Sequence, residues 1–172
     1  MRSGEIEEQG GCGGEISAAD LKAVQDLYEA GLYLQAYERS RVCGPLRTWR
    51  GAEARIMAAR LAGQLGAPRL GLWHRLRAWR EAPHHPEVCC FRGYTVLEWE
   101  GPYEAWRFFQ QQGADLPDAT PDVQSSWFAF GAQVLGYLRD FEAAESWLRR
   151  AELHERQSKS CGRQAQGRLC DQ

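Results

Sequence analysis

The sequence predicts an all-α chain of about four helix-turn-helix hairpins, and three observations predict it. Gly31, Gly66 and Gly101 stand 35 residues apart, and each ends one apolar helical run and precedes another. Pro68, Pro86, Pro102 and Pro121 each fall at the start of such a run, where a missing N–H costs nothing. A small residue follows each turn, as Ala36, Gly71, Ala105 and Ala144, where a larger side chain would hold the paired helices apart.

The elements follow in order from this punctuation. In "ISAADL", Ser17 is the N-cap, Asp20 its capping-box partner and Ile16 a hydrophobic staple on Leu21, which opens a helix over about 17–30. Gly31 supplies the left-handed backbone that ends it, and a second helix runs over 32–43. Helices at 48–65 and 67–82 meet at Gly66, and helices at 86–100 and 102–112 meet in "GPYEAW" at Gly101 and Pro102. Thr120 caps a helix over 121–138, and the last runs over 140–156 after a turn, "YLRDFE", that lacks the glycine. Trp73, Trp79, Trp106 and Trp147 are expected to fill the seams between hairpins.

The 172 residues, 44% apolar and 26% charged, suit one globular domain over 17–156. Residues 1–16 form an acidic, glycine-rich flexible segment, and 157–172, "QSKSCGRQAQGRLCDQ", have no apolar period and are expected to be disordered. The N-terminus lacks the apolar core of a secretory signal, and the longest mainly apolar stretch, "WFAFGAQVLGYL", is too short to cross a bilayer. A cytoplasmic protein with no membrane span is expected, its six cysteines reduced because no CxxC spacing and no export signal accompany them.

Charge is segregated along the chain. Residues 39–80 carry ten basic and one acidic residue, whereas 81–145 carry eleven acidic and three basic. Arg47, Arg50, Arg55, Arg60, Arg69, Arg75, Arg77 and Arg80 fall on two adjacent helical runs but are spread around them, so a solvated or internally paired face is preferred over a nucleic-acid surface. His84 and His85 near Cys89 and Cys90 fall short of a structural zinc set, which wants four ligands. No nucleophile motif surrounds either cysteine and no glycine-rich phosphate loop is present, so the reading is of a protein with no catalytic residues, metal or cofactor.

The motifs "GLYLQA", "GPYEAW" and "RDFEAAESWLRRA", with Pro83 at a repeat end, resemble the tetratricopeptide repeat family over about 17–156. The period of 35 rather than 34, a third unit one residue short and the missing fourth glycine are departures from that family's pattern. The resemblance implies a right-handed superhelical solenoid whose first helices line a concave groove for a peptide or helix of another protein. Carried over by turn alignment, the groove positions are Lys22, Gln25 and Glu29; Met57, Arg60 and Gln64; Arg92, Thr95 and Trp99; and Phe130, Gln133 and Tyr137. Such a mix of cation, amide and aromatic side chains suits a protein or peptide partner, an acidic one included. The branch of the family that clamps chaperone C-termini is disfavoured, because of its clamp positions only Arg92 fits and the chain contains no asparagine.

The function expected is therefore a non-enzymatic interaction scaffold or adaptor. The alternative is a helical targeting module or shortened form of a longer enzyme, since no polar capping helix follows 156; a nucleic-acid-binding repeat is the minor one.

Overall fold

Ser17 starts the first helix as its sequence requires: its Oγ accepts the Asp20 backbone N–H, and its hydroxyl donates to the Asp20 carboxylate. The computed structural model describes residues 16–169, with side chains as far as Arg156. Eight α-helices and one 3₁₀ turn, Leu46–Thr48, account for its regular structure, and no strand occurs among the described residues. The helices are α1 (Ala18–Glu29), α2 (Tyr33–Arg41), α3 (Ala52–Gln64), α4 (Pro68–Glu81), α5 (Pro86–Trp99), α6 (Pro102–Gln112), α7 (Pro121–Tyr137) and α8 (Phe141–Leu169).

All four expected prolines open helices, and Thr120 caps α7 by accepting the Val123 N–H. Two boundaries differ by more than two residues. Trp49 to Gly51 are not helical, Trp49 being extended and Gly51 at φ 84°, so α3 begins at Ala52 and not near 48. Helical backbone in α8 continues to Leu169, past the expected end at 156 and through most of the segment expected to be disordered. Residues 1–15 and 170–172 lie outside the described residues.

Three of the four hairpin turns share one backbone hydrogen-bond pattern. In the first, the Leu32 N–H reaches the Leu27 carbonyl and the Gly31 N–H the Tyr28 carbonyl, the paired bonds that close a helix around a left-handed residue. The second repeats this at Ala67 and Gly66, and the fourth at Asp140 and Arg139. Arg139 occupies the glycine position with φ 64°. In the third turn Pro102 has no N–H to give, and Gly101 and Glu100 both donate to the Val96 carbonyl instead.

The small residues after the turns are buried in every hairpin. A Cβ on Gly71 would come within 3.1 Å of the Ala59 carbonyl oxygen, so α3 and α4 touch backbone to backbone there. The aromatic positions two residues past each turn behave differently. Tyr33 packs on Tyr28, ring centroids 5.0 Å apart, but Tyr103 and Phe141 stand 64% and 68% exposed.

The chain divides into two compact units, one ending at Glu81 and one beginning at Ala82, where the sequence suggested a single domain. In the first, α3 is the central helix, buried from Ala54 through Ala59. Val24, Met57 and Leu61 pack there with Trp49 and Leu46 from the segment before α3. Each such large apolar side chain contributes about 1.5–3 kcal/mol on burial.

The second unit has an aromatic core. Trp127 and Phe130 stack at 5.2 Å, and Phe109 lies 4.8 Å from Trp127 and 5.1 Å from Trp147 of α8. Gly93 and Gly131 make room for these rings: a Cβ at Gly93 would meet Phe130 at 2.8 Å, and one at Gly131 would meet Phe109 at 2.7 Å. Buried Gln124 secures the α6–α7 connection by donating to the Ala114 carbonyl and accepting the Leu116 N–H, both at 2.9 Å. The indole of Trp127 adds a bond to the Gly113 carbonyl at 3.0 Å.

Trp147 fills a seam as expected, meeting Phe109 and Phe128, whereas Trp106 stacks on Phe109 of its own helix. Trp73 is substantially exposed, and the most buried indoles are Trp49 and Trp127, which the periodicity did not single out.

Candidate binding surfaces

Nine of the twelve groove positions are accessible, and three are not. Met57, Thr95 and Phe130 are buried, which corrects the alignment at those places. Met57 is drawn inward because α3 is covered on several sides, and Phe130 belongs to the ring cluster. Thr95 tolerates burial because its hydroxyl donates to the Phe91 carbonyl one turn earlier.

In the first unit, Lys22 pairs with Asp26 at 2.8 Å, with Gln25 half-buried and Glu29 exposed on the same helix. Arg60 is half-buried on α3, and Gln64 near its end is exposed and donates to the Tyr28 hydroxyl at 3.5 Å. In the second unit, Arg92 donates to Glu100 at 3.0 Å, while Gln133 is exposed.

Trp99 and Tyr137 are 66% and 62% exposed at the C-terminal ends of α5 and α7. These two helices run parallel: Cys90 approaches the Val123 carbonyl and, one turn later, the Tyr94 ring meets Phe130 at 5.0 Å, so residue numbers rise together along the contact. Trp99 and Tyr137 therefore project at the same end of the second unit, and the exposed Tyr103 and Phe141 start the helices that turn back from it. Four exposed aromatic rings gather at that end.

Two recesses among the described residues of the first unit bear on binding. An open groove of about 830 Å³ between α2, the 42–48 segment and α3–α4 is mainly apolar, with Leu34, Tyr37, Leu46, Leu65 and Leu70 in its wall. The other, of about 350 Å³, is lined by Arg47, Arg50, Arg55, Trp73, Arg77 and Glu81. Local structure explains its walls. Trp73, Arg77 and Glu81 are four residues apart on one face of α4, Arg55 sits in the first turn of α3, and Gly51 with φ 84° turns the chain that carries Arg47 and Arg50.

Arg55 is the buried member, its side chain 7% exposed. Its Nε and Nη2 donate to the two Glu81 oxygens, both at 2.6 Å, and this pairing, with the Gly51 backbone N–H, holds the Glu81 carboxyl below the usual carboxylate range. Nη1 of Arg55 is buried without a hydrogen-bond partner. Trp73 lies against two guanidinia, 5.5 Å from Arg55 and 5.3 Å from Arg77. Behind it His74 is fully enclosed, and burial together with the Arg55 charge pushes its pKa down to about 4, so the ring is neutral. The sequence spread the basic block around two helices, yet the fold brings four of its arginines to one recess.

The cysteine and histidine cluster near the start of α5 has a different character. Burial pushes the Cys89 thiol up, and Cys90, beside Cys89 and Glu87, is pushed up to about 12. Both are held as thiols, poor nucleophiles and poor ligands. Among the described residues, no three His, Cys, Asp or Glu side chains stand together as a metal site, and no helix is long and apolar enough to cross a membrane.

Fold and surfaces define an all-α protein of helical hairpins with an aromatic edge and an arginine recess. No protein-family model, curated protein or solved structure matches the chain.

Proposed function

We propose that this chain is a cytoplasmic, non-catalytic interaction scaffold, a helical repeat of the tetratricopeptide type that binds a protein or peptide partner. The observation that carries the reading is the aromatic end of the second unit, where Trp99 and Tyr137 stand largely exposed on parallel helices. Large rigid rings exposed together are the side chains that dominate protein interfaces, because they bury much area for little lost rotamer freedom. Arg92 on α5 adds a guanidinium for an acidic group on the partner, with Glu100 as its present counter-ion. Support for the repeat comes from the shared turn bonds and the buried small residues that follow them.

The test compares the wild-type chain with a Trp99→Ala/Tyr137→Ala variant. A partner captured from native lysate is identified, purified and titrated against both. Truncating both rings is expected to weaken binding at least about thirtyfold, the effect of losing one strong interface anchor of about 2 kcal/mol. Unchanged affinity with an intact helical spectrum would remove the aromatic edge from the interface.

A further inference from the structure

We propose that the recess between Arg47, Arg50, Arg55, Trp73 and Arg77 binds a phosphate monoester, with the dianion among the guanidinia and its carrier group against the Trp73 ring. Four arginines and one glutamate line the recess. That carboxylate is committed: both Glu81 oxygens are taken by Arg55. Arg47, Arg50 and Arg77 make no ion pair among the described residues, so the recess keeps an excess of positive charge that an entering anion would relieve.

The number of donors selects the anion. A single guanidinium fork occupies both oxygens of a carboxylate, as Arg55 does for Glu81. Three further arginines lining one recess suit a tetrahedral dianion with three terminal oxygens. Arginine rather than lysine supplies all of this charge, and its planar donor geometry matches phosphate in two-point contacts. Nη1 of Arg55 is buried without a partner, so Glu81 leaves part of that guanidinium unanswered. A volume of about 350 Å³ is at the small end of ligand sites, large enough for a phosphate and the group that bears it.

A nucleic-acid backbone is the less fitting occupant. It presents phosphates in a row and needs cations in a row, whereas these four arginines surround one space, and Arg69 and Arg80 on α4 are not among its walls. The recess belongs to the first unit and the aromatic edge to the second, so each can be tested without the other.

The experiment is an NMR titration of the full chain, following arginine Nε–H signals and the Trp73 indole, identified with a Trp73→Phe variant. The probes are inorganic phosphate and O-phosphoserine above pH 7, with chloride matching ionic strength. Saturable shifts at Arg55 and Trp73 are expected below about 10 mM probe. Arg50→Gln/Arg77→Gln leaves the Arg55–Glu81 pair in place and is expected to weaken binding by about tenfold or more. Arg69→Gln/Arg80→Gln, exposed on the same helix, is expected to leave binding unchanged. A short phosphoserine peptide that binds about tenfold more tightly than phosphoserine itself would identify a protein as the phosphate's source, and equal binding would identify a small phosphorylated molecule. The proposal is overturned by the absence of saturable shifts, by equal loss in both double variants, or by binding of an oligonucleotide with none of either phosphate probe.

Discussion

Arg139 takes the positive φ that glycine takes in the other three hairpins. A left-handed residue with a side chain is strained by contact between Cβ and its own carbonyl, a cost that glycine escapes. Nothing in the turn needs the guanidinium, because the closing bonds come from the Arg139 and Asp140 backbone N–H groups. Arg139→Gly is therefore expected to stabilise the second unit by about 0.5–1 kcal/mol, the relief of strain less the greater freedom of glycine in the unfolded chain. Arg139→Val, branched at Cβ, is expected to destabilise it. Urea midpoints for the pair would show opposite displacements, and equal ones would mean that the turn does not constrain this residue.

At the scale of the element, the pairing of α3 with α4 carries a pH dependence. His74 is enclosed and neutral, with Arg55 and Glu81 as the charged groups beside it. Its pKa is about 4 in the folded chain and near 6.5 unfolded, so the unfolded state takes up the proton first as pH falls. Above about pH 6.5 its titration subtracts nothing; from there down to about 4 it subtracts up to roughly 3 kcal/mol. Glu81 acts in the same direction at lower pH, since a carboxyl held low by Arg55 contributes stability that is lost as pH falls from its ordinary value of 4.5 through its depressed one. Denaturant titrations from pH 7 to 4 should show this loss for the wild type. His74→Phe should flatten the curve between 6.5 and 4.5 while keeping the steeper fall below, and an unchanged curve would mean that the imidazole is not the group titrating.

For the molecule as a whole, the sequence disclosed what is local and withheld what is not. Turns were legible because a proline at a helix start or a glycine at a helix end acts through its own few bonds, so seven of the eight helices begin within one residue of their expected starts. The exception, α3, starts late because Gly51 bends the chain to bring Arg47 and Arg50 beside Arg55. That is also why the arginine recess was not legible: four positions from two helices and a connecting segment share no period. Burial of Met57, Thr95 and Phe130 escaped turn alignment for a similar reason, since alignment gives the position along a helix but not how many neighbours cover it. The division at Glu81 depends on which contacts close around each core, a property carried by no single motif.

The two buried thiols of α5 make the second unit its own recorder of opening. Cys90, with its pKa near 12 rather than 9, carries about a thousandfold less thiolate than a free cysteine, and its neighbour Cys89 is enclosed as well. An alkylating reagent therefore reaches Cys90 at an appreciable rate only in the moments when α5 separates from α7. Half-buried Cys43, in the first unit, supplies an internal reference. Mass-resolved alkylation is expected to modify Cys90 far more slowly than Cys43, with a rate that climbs more steeply in urea than that of Cys43. The ratio of the two rates would then time the breathing of one unit in the intact chain, with no label added to it.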